Sequence, residues 1–126
     1  MNQQQDIKDP QTCAVIGAAM RVHNKFGYGF FGEAYRGALE LEFQQSDIPY
    51  EREKKLPITY DGQKLNIPLV ADFFCYGNTL VILKVMDQLT EYEEKQMINY
   101  LKATGEHKGL LINFGSIHLE YKRFTL

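Results

Sequence analysis

Residues 69–85 read LVADFFCYGNTLVILKV: two apolar β-strands joined by a tight turn at Gly77-Asn78, with Asp72 and Lys84 set inside them. A carboxylate or an ammonium among Phe, Val, Ile and Leu loses hydration, so such a charge is paired, exposed on a sheet edge, or kept for chemistry. Side chains alternate faces along a strand, and the turn therefore decides whether the two charges meet. A two-residue turn at Gly77-Asn78 sets Asp72 opposite Leu83. A three-residue loop over 77–79 sets it opposite Lys84 and brings Ile82 across from Phe74. The second register builds a site; a plain Asp72–Lys84 cross-strand ion pair accounts for the same residues.

The chain has 126 residues, enough for one domain whose core needs neither metal nor disulfide to hold it. Its polar start is expected to fray, giving a disordered tail over 1–9 and a single domain over 10–126. Cys13 and Cys75 stand in apolar contexts without a CxxC pair or a histidine at ligand spacing, and are expected as buried thiols in a reducing compartment. No apolar run reaches a membrane span and the start MNQQQ lacks a signal-peptide pattern, so a cytoplasmic protein without a membrane partner is expected. A net charge of −2 announces no global basic field. Lys54, Lys55, Lys84, Lys102, Lys108, Lys122 and Arg123 either gather in one cleft or scatter as solvating charge.

Working outward from the hairpin, Asp9-Pro10 caps a helix whose apolar residues Val15, Ile16, Ala19, Met20, Val22 and Phe26 recur at helical spacing. Gly27-Tyr28-Gly29 breaks it. A second helix starts at Phe30 or Phe31, with Tyr35, Ala38, Leu39 and Phe43 inward and Glu33, Arg36, Glu40 and Gln44 mostly outward. Asp61-Gly62 marks a hairpin between 50–60 and 63–67, and the charged, Pro57-containing first arm suits a sheet edge. After the Asp72/Lys84 hairpin, Thr90 and Glu93 form a capping box for a helix closed by Gly105. Two strands around Gly115-Ser116 finish the chain. The expected order is ααββββαββ, an α/β (α+β) fold with a central mixed sheet flanked by helices.

This order resembles the PD-(D/E)XK nuclease superfamily and, within it, the small GxxExxY proteins. The resemblance rests on His23, on GYGFFGEAY over 27–35, on 38–43, on the Asp72 strand and its LK-ending partner, on QMINYLKATG over 96–105, and on GLLINFG over 109–115. It implies a restriction-endonuclease-like core. There a strand aspartate and a Glu-x-Lys on the next strand hold Mg²⁺ or Mn²⁺ and orient water for attack on a DNA phosphodiester. Asp72 matches the aspartate and Lys84 the lysine, while Gln96 and Tyr100 match a QxxxY pair one helical turn apart beside the site.

Two positions depart from the pattern. Ile82 stands where the Glu of Glu-x-Lys belongs, and Gly32 stands where the naming motif carries its glutamate, the acid following one residue later as Glu33. One residue turns a helical side chain by about 100°. Three readings follow. A degenerate or weakly active Mg²⁺-dependent phosphodiesterase acting on DNA uses Asp72, Lys84, Gln96, Tyr100 and a migrated acid, Glu33 or else Asp87; it requires Glu33 to converge on Asp72 as the second metal ligand. A pseudonuclease keeps the fold, pairs Lys84 with Asp72, and uses Ile82 and Phe74 as a dry floor beneath a nucleic-acid or protein-binding cleft. An assembly module pairs its last strand with a second copy as a homodimer. His23 is expected to cap or pack, and His107 and His118 to lie at the surface.

Overall fold

A computed structural model describes residues 9–126. The tail expected over 1–9 lies outside the described residues up to Lys8, whereas Asp9 belongs to the first helix. Its carboxylate accepts the Gln11 N–H at 3.0 Å and pairs with Lys108 at 2.8 Å, tying the helix start to a strand. Helix α1 (Pro10–Phe26) places Pro10 in its first turn, where the missing N–H costs nothing, and ends at Gly27 with φ 72°. Helix α2 (Gly32–Gln45) follows.

Seven strands come next: β1 (Tyr50–Leu56), β2 (Thr59–Tyr60), β3 (Gln63–Lys64), β4 (Leu69–Cys75), β5 (Thr79–Lys84), then, after helix α3 (Glu91–Thr104), β6 (Lys108–Asn113) and β7 (Glu120–Thr125). The five-stranded sheet runs β1-β4-β5-β6-β7, with β5 and β6 parallel and the other neighbours antiparallel. Helix α3 is the crossover that a parallel pair requires. It opens on the Thr90/Glu93 capping box and closes on Gly105 in the left-handed conformation. The fold is α+β and consistent with a restriction-endonuclease-like core.

The sheet separates two cores. Helices α1 and α2 cover one face through Val15, Ile16, Val22, Tyr35, Leu39 and Phe43, which meet Phe73, Val81, Leu83, Leu110 and Ile112. Helix α3 covers the other, where Met97 and Leu101 meet Phe74, Leu80, Ile82, Leu111 and Phe124. Each such side chain removed from water contributes roughly 1.5–3 kcal/mol. Strand β5 is buried on both faces, which is why it reads as an unbroken apolar run rather than an alternation.

Three expectations change. Pro57 cannot donate to a ladder, so the arm expected over 50–60 splits into edge strand β1 and the short β2–β3 hairpin at Asp61-Gly62, adding one strand to the expected order. Cys75 is buried and its thiol pushed up to about 12 by that burial, but Cys13 is exposed, its Sγ 3.6 Å from Arg123 Nη2. The β4–β5 register matches neither alternative. Cys75 pairs with Thr79 around a loop of Tyr76, Gly77 and Asn78, so Phe74 faces Leu80, Phe73 faces Val81, and the ladder stops before Asp72. Tyr76 takes φ 58°, unusual for a residue with a Cβ. Its N–H bonds the Pro49 carbonyl at 2.9 Å and its side chain packs on the α1–α2 core, contacts that hold the turn one residue early.

Candidate functional site

Strands β4 and β5 form a fork. Their ladder ends at the Phe73–Val81 pair, while β5 continues beside β6 as far as Lys84 and Asn113. Asp72 sits in the opening, and across it on β1 Glu53 interrupts the other ladder with φ 53°. The residues flanking Asp72 point to different cores, Ala71 to the α3 side and Phe73 to the α1–α2 side. Where β5 leaves its partner it exposes a backbone donor that must be satisfied. Asp72 Oδ2 accepts that Leu83 N–H at 2.8 Å, and Oδ1 accepts from Arg36 Nε at 2.7 Å.

Asp72 therefore does not pair with Lys84. Lys84 Nζ donates to Gln96 Oε1 at 3.0 Å, across to α3. Glu33 meets Asp72 only through Arg36, whose Nη1 lies 3.9 Å from it; its own close partner is Arg52 on β1, and its side chain is 67% exposed. Arg36, expected mainly outward, is turned to the fork and stands between the two acids. Arg52 continues the network to Glu40 at 2.9 Å, and this bond, with one from the Tyr50 hydroxyl, lowers the Glu40 carboxyl below its ordinary value. Neither arginine was singled out by sequence reasoning; a helical wheel shows only the helix's own apolar face, not a carboxylate on a strand beneath it.

On the α3 side, Gln96 and Tyr100 stand one turn apart, as their spacing predicts, and line a surface groove of about 410 Å³ with Glu91, Tyr92, Lys95 and Asn99. Burial, with Tyr92 and Asp72 nearby, raises the Tyr100 phenol above its ordinary value of 10, so it remains an O–H donor at neutral pH. Four of the basic residues have partners of their own. Lys54 pairs with Glu51, Lys108 with Asp9 and Lys122 with Glu94, and Arg123 donates to Thr12. His23 packs and ties: its Nε2 lies 3.0 Å from the Ser116 carbonyl oxygen, joining α1 to the β6–β7 connection. Tyr35 donates to the Gly27 carbonyl at 2.6 Å and accepts from the Phe30 N–H at 3.1 Å, fixing the α1–α2 turn.

The residues present do not fit a Mg²⁺ or Mn²⁺ site. Hard divalent ions need several clustered oxygens. Asp72 has both oxygens engaged, Ile82 offers none, Glu33 is turned to Arg52, and Asp87 is exposed beyond the strand. Among the described residues no group of three or more His, Cys, Asp or Glu could hold a metal ion. Arg52 Nε, buried without a hydrogen-bond partner, is a donor and not a ligand.

The fold is shared with the crystal structure of SSO0001, which superposes with a TM-score of 0.58 at 15% identity over 91% of this chain. The chain spans 65% of that protein's length, and at this identity the likeness concerns the fold alone. No curated protein matches the chain. No helix among the described residues is long and apolar enough to cross a membrane. A family model for the PD-(D/E)XK nuclease superfamily, whose members usually use Mg²⁺ or Mn²⁺, matches residues 9–124. That match spans both helices, the forked strands with Asp72, and the α3 crossover with its Gln96–Tyr100 pair, and by it the chain belongs to the PD-(D/E)XK nuclease superfamily.

Proposed function

We propose that this chain is a nucleic-acid-binding member of its superfamily that does not cleave phosphodiesters with a divalent metal. The observation that carries this reading is the state of Asp72: the carboxylate on which a metal would depend is committed to the Arg36 guanidinium and the Leu83 N–H, and the β5 residue before Leu83 is the apolar Ile82. Binding then falls to the α3 groove. Lys84 and Lys95 supply cations for a phosphate backbone, Gln96 and Asn99 supply amides, and Tyr92 and Tyr100 supply rings on which bases of a single strand stack. A net charge of −2 makes such binding modest and salt-sensitive. Membership of the GxxExxY group, a cytoplasmic location and a single domain over 10–126 belong to the same proposal. The open outer edge of β7 adds pairing with a second copy, which light scattering decides; a strict monomer sinks that part.

The test is fluorescence anisotropy of a labelled single-stranded oligonucleotide and its duplex, in EDTA and in Mg²⁺ or Mn²⁺, alongside a cleavage assay. Binding is expected to be insensitive to EDTA. Lys84→Ala should weaken it about fivefold and reduce the salt slope by about one. Mg²⁺-dependent cleavage that Asp72→Ala abolishes would overturn the proposal.

A further inference from the structure

One guanidinium stands between two carboxylates at the mouth of the fork. Arg36 Nε holds Asp72 Oδ1 at 2.7 Å, and Arg36 Nη1 lies 3.9 Å from Glu33 Oε1. That is the electrostatic position of a cation shared by two acids, filled from within the chain. Room for it comes from Gly32, one helical turn before Arg36. A Cβ at Gly32 would lie 2.9 Å from Arg36 Nη1 and 3.6 Å from its Cζ, so a side chain there would require the guanidinium to shift. On β5, next to the Leu83 whose N–H Asp72 accepts, buried Ile82 supplies no oxygen. A guanidinium offers fixed, directional donors, so the neutralisation needs no ion from solution.

We propose that Arg36 is a tethered counter-cation that takes the place of a divalent ion in the fork, and that it keeps the fork closed to metal even when a second acid is supplied on β5. The inference rests on the reading that the chain works without metal, and goes beyond it by naming the side chain responsible. It makes a specific claim about Ile82. Restoring an acid there is not sufficient, because Arg36 still holds Asp72 and gains a further anion to pair with.

The experiment titrates Mn²⁺ and Mg²⁺ into four proteins by calorimetry and follows their melting temperatures: the unaltered chain, I82E, R36M, and the R36M/I82E double variant. Far-UV circular dichroism and a cooperative melt establish that each is folded. The unaltered chain and I82E should give no heat and no Tm shift. The double variant should bind Mn²⁺ at least tenfold more tightly than either single variant and melt higher with the ion than without. Equal binding by I82E and the double variant overturns the role of Arg36, as does a folded double variant that binds no ion. Should R36M/I82E not fold, R36L/I82E carries the same comparison, since leucine has no donor for Asp72. Metal-dependent cleavage by the unaltered chain sinks the functional reading itself; metal binding by I82E alone sinks only this inference.

Discussion

Replacing Arg36 by Met keeps most of the side-chain stem and removes the guanidinium from Asp72. The side chains of Asp72 and Arg36 are 19% and 31% exposed, which sets the pair between two regimes. Surface pairs contribute about 0–1 kcal/mol, and breaking a fully buried one costs about 3–5 kcal/mol because a charge is left uncompensated. With the Leu83 N–H still bonded to Asp72, about 2 kcal/mol is expected for R36M. For a chain of this size that lowers Tm by about 8 °C. Asp72→Asn keeps a carbonyl acceptor for Leu83 and removes the charge that Arg36 answers. In the R36M/D72N protein the uncompensated carboxylate is absent, so the double variant should lose much less than the sum of the singles, with a coupling of about 1.5 kcal/mol. Urea titrations of the four proteins at neutral pH, compared at constant m, measure it. Costs that add within about 0.5 kcal/mol would show that the pair behaves as a surface contact, and would refute the claim that Asp72 depends on Arg36.

Other positions give independent tests. A Cβ at Gly115 would lie 2.3 Å from the Met86 nitrogen and 2.5 Å from its carbonyl oxygen, backbone atoms that cannot swing aside, so Gly115→Ala should cost about 3 kcal/mol or more in a thermal melt. Asn113, fully buried, accepts the Met86 and Gly115 N–H groups and donates to the Met86 carbonyl. Asn113→Leu strands all three and should destabilise by about 3–5 kcal/mol, read from urea midpoints. Glu42 joins α2 to α1, and its hydrogen bond from Arg21, opposed by burial and helped by Lys25, lowers its carboxyl below the ordinary 4.5. A carboxyl lowered in the folded state stabilises the protein above its unfolded pKa, and the contribution is lost as pH falls through the folded pKa. Glu42→Gln should therefore cost about 1.5 kcal/mol at pH 7, a gap that closes as pH falls below about 4.5.

The helix ends were legible in the sequence because their signals are local: Asp9-Pro10 and Gly27 around α1, Thr90, Glu93 and Gly105 around α3. The Asp61-Gly62 hairpin was legible for the same reason. The register of the central hairpin was not. Gly77-Asn78 is the natural place for a turn, yet the loop begins at Tyr76, whose left-handed backbone is held by the Pro49 carbonyl and by packing on another layer. Contacts that distant leave no mark on turn chemistry, and one position along β4 moves the partner of Asp72. The site followed the same division. Lys84 and Gln96 lie where strand and helix spacing set them, and they meet; Asp72 and Lys84 share a motif but not a contact.

Arg36, Gly32 and Ile82 make physical sense together and not singly. At an effective dielectric of about 20, a divalent ion about 4 Å from a guanidinium meets roughly 8 kcal/mol of repulsion, so metal and Arg36 cannot both serve Asp72. A metal-holding fork with Arg36 present would be contested; a fork with Ile82 and no Arg36 would leave the Asp72 carboxylate against apolar side chains without a counter-ion, the arrangement that costs most. A side chain at Gly32 would crowd the guanidinium even with both other residues in place. Each residue removes the penalty another would create. The Arg36 bond satisfies the carboxylate, and the carboxylate in turn accepts the Leu83 N–H where β5 leaves β4. Asp72 thus has a part in the forked sheet itself, satisfying the Leu83 N–H, that requires no metal.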